Sequence, residues 1–288
     1  MPQSAKPNRR AQLREMAHNK KAVTAVYVLL RASVLLVMLA QIFNRNFENV
    51  FLCVLTLFLF LLPGILERKL DIDLPDTLEI IILLFIYAAE ILGEIGAYYV
   101  TFPYWDTVLH TLNGFLCAAI GFSMLDILNR RNDMRFHLSP FYLAMMAFCF
   151  SMTVGILWEF FECAMDQFFL LDMQKDAVVG SISSVMLDPT GGNAPTQLKH
   201  IVDVIVVQAD GTQTALGLGG YLDIGLLDTM KDLFVNFIGA LVFSVIGYFY
   251  VLTRGKGRFA RRFIPVANRH TEPHPPAGSA QGQPPAEP

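Results

Sequence analysis

Apolar residues in this chain come in long runs separated by short charged patches, not at the spacing of a surface helix or a half-buried strand. Six runs, near residues 22–43, 48–66, 78–100, 106–128, 141–163 and 233–253, could each cross a hydrocarbon core of about 30 Å as a helix rising ~1.5 Å per residue. The pattern predicts an all-α fold, a polytopic membrane helical bundle of six transmembrane helices. The first run, Ala22 to Phe43, exceeds the roughly 7–15 apolar residues of a cleavable signal and lacks a small-residue cleavage site, so it is expected to remain as a span.

The pattern changes between the fifth and sixth runs. Within residues 167–230, "HIVDVIVVQADGTQTALGLGGYLDIG" sets β-branched residues on both sides of Asp210-Gly211, which predicts a small extracytoplasmic β-hairpin loop. The end, "VANRHTEPHPPAGSAQGQPPAEP", is rich in Pro, Gly and Ala and is expected to be disordered. The expected organisation is a basic cytoplasmic arm over 1–21, spans one to five within 22–166, the loop 167–230, the last span 231–253, and a basic, then Pro-rich cytoplasmic tail 254–288. No internal repeat is detectable.

Composition agrees. Hydrophobic residues make up 54% of the chain and charged residues 16%, against roughly a quarter charged in soluble domains. Distribution matters more than the net charge of −3. With the N-terminus inside, the outer segments hold only Arg45, Lys175, Lys199 and Lys231, and every other Lys and Arg except the intramembrane Arg31 falls inside. That asymmetry predicts an N-in, C-in topology. Arg31 either snorkels inward or pairs with a carboxylate such as Glu90. Cys53, Cys117, Cys149 and Cys163 have no metal-type spacing and suit helix packing. The glycines inside the spans, among them Gly93, Gly114, Gly155 and Gly239, suit close helix approach. Nothing in the charge pattern points to nucleic acid.

The same topology turns residue number into depth. Asp106, His110 and Asn113 lie at the outer mouth of the fourth span and one and two turns below it. Glu159, Glu162 and Asp166 occupy the last turns of the fifth, Asp228, Asp232 and Asn236 the start of the sixth, and Glu90 and Glu94 the outer part of the third. Spacings of three and four stack side chains on one helix face, so four helices each carry a polar stripe in their outer halves. The inner halves of these spans are read as lacking polar residues apart from Arg31, which favours a one-sided site over a transport path.

A charge at the centre of a lone span costs on the order of 2.5–3.5 kcal/mol, which favours convergence of the stripes on one interior site. So many carboxylates cannot all stay ionised there without positive charge; either several are protonated or a cation sits among them. Asp106, His110, Glu159, Glu162, Asp228 and Asp232 are the candidate ligands of a divalent metal, with Asp106, His110, Glu159 and Glu162 as the candidate catalytic groups. Glu90, Glu94, Asn113, Asp166 and Asn236 would support them. One imidazole with carboxylates suits Zn²⁺, Mn²⁺ or Fe²⁺, and an all-oxygen set suits Mg²⁺ or Ca²⁺.

The segments "LGEIGAYYVTFPYWDTVLHTLNGFLCAAIGF", "SMTVGILWEFFECAMDQ" and "GYLDIGLLDTMKDLFVNFIGAL" carry Asp-x-x-x-His, Trp-Glu-x-x-Glu and Asp-x-x-x-Asp ahead of a Gly-containing last span. Across roughly residues 80–250 they resemble the YjdF-like group of uncharacterised bacterial inner-membrane proteins and, more distantly, the VanZ-like proteins. The resemblance implies a bacterial plasma-membrane location and a set of marked positions, but no reaction. Three functional classes stay open: an enzyme acting on a lipid or lipid-linked substrate at the outer leaflet, an ion- or proton-coupled transporter, and a non-enzymatic accessory protein. No serine or cysteine nucleophile stands out beside the stripes, which disfavours acyl-enzyme chemistry.

Overall fold

The computed structural model describes residues 9–70, 72–129, 138–253, 257 and 259–267. Most of the N-terminal arm's first residues, the bulk of the 129–140 loop and the Pro-rich tail from residue 268 lie outside the described residues.

Elements follow the apolar runs. Helix α1 spans Arg9–Phe43, α2 Phe47–Leu59 and α3 Leu62–Leu70, with Asn46 capping α2 by accepting from the Asn49 N–H at 3.1 Å. A two-residue strand β1 (Ile72–Asp73) leads into α4 (Asp76–Tyr87). There the predicted third span departs from one regular helix. Residues Ala88–Ile95 wind as a π-helix, with the Gly96 N–H donating to the Ile91 carbonyl at 2.8 Å. Ala97 then turns left-handed at φ 55° before the short α5 (Tyr98–Thr101). Helix α6 (Trp105–Asn129), α7 (Pro140–Phe169) and α8 (Leu226–Leu252) complete the bundle.

Among the described residues five helices are long and apolar enough to cross a membrane: Lys21–Phe43, Phe47–Lys69, Trp105–Asn129, Pro140–Phe169 and Leu226–Leu252. The six-span expectation is not met by that measure. The third predicted span is not one regular α-helix: the chain passes from α- to π-geometry at Ala88 and takes a left-handed turn at Ala97.

Between α7 and α8 the chain forms β2 (Ala177–Val179), β3 (Ser181–Ser184), β4 (Thr196–Lys199), β5 (Ile205–Val207), β6 (Gln213–Ala215) and β7 (Tyr221–Asp223). The Asp210-Gly211 turn joins the antiparallel pair β5–β6, with Gly211 at φ 85° and the Thr212 N–H donating to Asp210 Oδ1 at 2.9 Å. The hairpin is therefore present, but it is one of three strand pairs. β3 pairs with β4, and β2 pairs with β7 to draw the two ends of the segment together. This segment joins α7 to α8 at the bundle end where α6 starts, called here the capped end, and is fastened there by the Met173, Gln174 and Lys175 N–H groups.

One turn in the segment is stiffened by a carboxylate. Asp188 accepts from the Thr190 hydroxyl at 2.7 Å, the Thr190 N–H at 2.9 Å and the Ala194 N–H at 3.3 Å. The Thr190 hydroxyl, then its N–H, hold the Asp188 carboxyl below the usual range. The charged form is thus favoured in the folded turn. That support is full above the ordinary Asp value of about 3.9 and is lost as pH falls through the depressed folded value. Hydrogen-exchange protection of the Thr190 and Ala194 amides is expected to drop below about pH 4, with no such step in Asp188→Asn.

The bundle's apolar centre lies toward the opposite end. Phe115 packs edge-on against Phe243 at 5.0 Å between centroids, and Phe122 meets Phe243 at 6.1 Å and Tyr250 at 6.4 Å. The chain after α8 folds back into this layer: Phe263 packs edge-on against Phe115 at 5.2 Å, Ile264 and Pro265 are buried, and strand β8 (Val266–Ala267) pairs with β1. Residues Val266 and Ala267 therefore belong to the fold, not to a disordered tail. The expectation of polar-free inner halves also fails, since Ser123, Asp126 and Ser244 are buried beyond the aromatic layer. Arg31 stacks its guanidinium 4.1 Å over the Tyr27 ring one turn earlier on its own helix. No carboxylate among the described residues forms an ion pair with it.

Candidate functional site

Helices α6, α7 and α8 cross most closely where their glycines fall. A Cβ on Gly239 would strike the Thr111 carbonyl oxygen, and one on Gly114 would strike the Asn236 carbonyl oxygen, so α6 and α8 meet backbone to backbone. Gly155 of α7 leaves room for the Asn236 amide, whose nitrogen would stand 2.7 Å from an added Cβ. These crossings bring three of the four polar stripes to one place, about a turn below the capped end.

His110 lies at the junction. Its Nε2 is 3.3 Å from Asp106 Oδ1 on the same helix, and its Nδ1 is 3.6 Å from Glu159 Oε1 on α7. Glu159 is only 4% exposed, and its Oε2 has no hydrogen-bond partner. Glu162, one turn along, accepts from the Trp158 indole N–H at 2.8 Å. Single ligand atoms of His110, Glu159 and Glu162 lie within 4.8 Å of one another, as do those of Asp106, His110 and Asp232. Both groups share His110.

A residue that the sequence reading treated only as an outer charge joins the second group. Lys231 Nζ is 2.7 Å from Asp228 Oδ1 and 3.4 Å from both Asp106 Oδ2 and Asp232 Oδ1. The signal was present in Asp228-x-x-Lys231-Asp232, where the lysine follows Asp228 by three on one helix face. Trp158 was likewise missed as a partner of Glu162, although four-residue spacing puts them on one face.

The other expected positions divide. Asn113 and Asn236 sit below His110, with the Asn113 amide donating to Asn236 Oδ1 at 3.1 Å. Asp228 also accepts from the Lys175 N–H at 2.8 Å, so it serves the loop as well as the cluster. Asp166 accepts from the Met173 and Gln174 N–H groups at 2.7 and 2.8 Å and is taken up in fastening that loop. Glu90 and Glu94, on the π-helical segment, fall outside both ligand groups. That segment is tied to α6 through the Trp105 indole, which donates to the Ala88 carbonyl at 3.3 Å. Of the nearby nucleophile types, Ser151 is engaged with the Gly114 carbonyl at 2.7 Å and Cys117 contacts Asn113 Oδ1 at 3.5 Å.

Comparison with curated proteins and with solved structures returned no match. Residues 26–253 match the family described as "Predicted membrane protein (DUF2238)". The matched span takes in α2 to α8, the second half of α1 and every side chain of the His110 junction. It bears out the YjdF-like resemblance, while the more distant VanZ-like likeness is not part of it. With most of its length so matched and its helices long and apolar, the chain belongs to the DUF2238 family of predicted membrane proteins.

Proposed function

We propose that this integral membrane protein is an enzyme that uses a divalent metal held by His110, Glu159 and Glu162 to act on a lipid or lipid-linked substrate. The observation that carries this reading is the unpartnered, buried Oε2 of Glu159 beside an imidazole that faces a carboxylate on each side. A buried carboxylate oxygen with no donor is costly, and a cation relieves that cost. Asp106 facing the second ring nitrogen matches the way outer carboxylates orient a ligating histidine. Asn113 and Asn236 form the polar floor. The metal's chemistry would be to polarise a phosphoryl or ester oxygen or to activate water.

The substrate class follows from where the site opens. Trp158, which holds Glu162, is itself exposed on the outer face of α7, as are Phe160 and Phe161, so the site borders the hydrocarbon. The Phe115, Phe243 and Phe263 layer below favours access from the capped end only. The Lys and Arg distribution supports an N-in, C-in arrangement in a bacterial inner membrane, which puts the capped end at the outer leaflet. A sixth crossing, which this arrangement needs, would be made by α4 and the π-helical segment after it, 20 residues over 76–95 at ~1.5 Å per residue.

The test is metal content. Detergent-solubilised wild type is expected to retain stoichiometric divalent metal, and His110→Ala/Glu159→Ala to lose it. Metal-free wild type would sink the reading and return the cluster to a structural role. A proton-coupled carrier is the second reading, favoured by the carboxylate–imidazole–carboxylate line Asp106–His110–Glu159. Proton-coupled flux in proteoliposomes that disappears in His110→Gln would select it.

A further inference from the structure

We propose that Lys231 is a tethered counter-ion filling a second cation position, built from Asp106, Asp228 and Asp232, and that it limits the site to one divalent ion. The inference rests on the reading of His110, Glu159 and Glu162 as the resident metal position. Three carboxylate oxygens, from α6 and α8, converge on the single point where the ammonium stands, at 2.7, 3.4 and 3.4 Å. An all-carboxylate oxygen set at one point suits a hard divalent cation such as Mn²⁺ or Mg²⁺. Asp232 is 1% exposed, and its Oδ1 makes no hydrogen bond even with the ammonium nearby. The lysine therefore neutralises the position without saturating it.

Asp106 connects the two positions. Its Oδ1 faces His110, a ligand of the resident position, and its Oδ2 faces Lys231 in the second. Lys231 is 44% exposed on its side chain, so its stem is not part of the packed core and the ammonium can be removed without opening a cavity. In two-metal sites the second ion stabilises negative charge building up on the substrate. A fixed ammonium beside one metal supplies that charge permanently, whatever the metal supply.

The experiment compares Mn²⁺ bound to detergent-solubilised wild type, Lys231→Arg, Lys231→Met and Lys231→Met/Asp232→Asn after dialysis against Mn²⁺. Wild type and Lys231→Arg are expected to hold one ion, Lys231→Met two, and the double variant one. One ion in both wild type and Lys231→Met overturns this inference and leaves the proposed function standing. No ion in wild type with one gained in Lys231→Met supports the inference and overturns the resident-metal reading. None in either overturns both. Should Lys231→Met fail to fold in metal-free buffer, recovery of its thermal transition on adding Mn²⁺ supports the second position. Failure to recover at saturating Mn²⁺ overturns it.

Discussion

Leucine at Gly239 is expected to prevent the three central helices from assembling. The reason is the reciprocal contact between α6 and α8. Gly239 faces the Thr111 carbonyl and the Phe115 N–H, and Gly114 faces Asn236, one turn away on each helix. The contact is with backbone, which cannot rotate aside as a side chain can. Backbones this close gain dispersion and Cα–H···O contacts that larger residues forbid. Overpacking a soluble core costs about 1–3 kcal/mol, and a clash with main chain at a helix crossing should exceed that. Gly114→Leu is expected to behave alike. Gly64→Leu is the control, because nothing lies within 4 Å of the Cβ it would add. Size-exclusion profiles and thermal unfolding in detergent would decide: a monodisperse, wild-type-like Gly239→Leu would show that the crossing is not needed.

That crossing also explains how far the sequence could be followed. The long apolar runs located most of the helices, because their length is set by the membrane and not by neighbours. Three- and four-residue spacing gave the stripes, since it depends only on helix geometry. Which stripes meet depends on helix order, and here the α6, α7 and α8 stripes meet while Glu90 and Glu94 fall outside both ligand groups. The π-helical turn at Ala88–Ile95 had no signature beyond Gly93 and Gly96, whose small size only permits it. Asp166 and Asp228 looked like mouth-of-site acids, and their use in binding the 173–175 backbone became visible only with the loop in place. Lys231 was hidden by the topology count itself, which scored it as an outer charge and so overlooked that it sits among the acids. The strand pair of Ile72–Asp73 with Val266–Ala267 joins segments about two thirds of the chain apart, which local pattern cannot predict.

Graded loss of metal is the second large effect expected, and it separates ligands from the groups that aim them. Glu159→Gln removes the one carboxylate that faces His110 Nδ1 and carries the unpartnered buried oxygen, so stoichiometric metal should be lost altogether. Glu162→Gln should follow, with the Trp158 indole left beside a neutral amide. Asp106→Asn acts differently. It leaves all three ligand side chains in place and, at the imidazole, changes what faces Nε2 from 3.3 Å away. Outer partners of this kind are typically worth 10–100-fold in metal affinity, so Asp106→Asn should weaken binding by about that factor without abolishing it. Asp106 also faces Lys231, so Asp106→Asn should be measured beside Asp228→Asn, which lies at the ammonium but not at the imidazole. Titration of the metal-stripped variants with Mn²⁺ or Zn²⁺ gives the order. Equal losses for Asp106→Asn and Glu159→Gln would mean that Asp106 is itself a ligand and that the metal sits on the α8 side of His110. Unchanged affinity in Glu159→Gln would remove the α7 carboxylates from the site and leave their burial as helix packing alone.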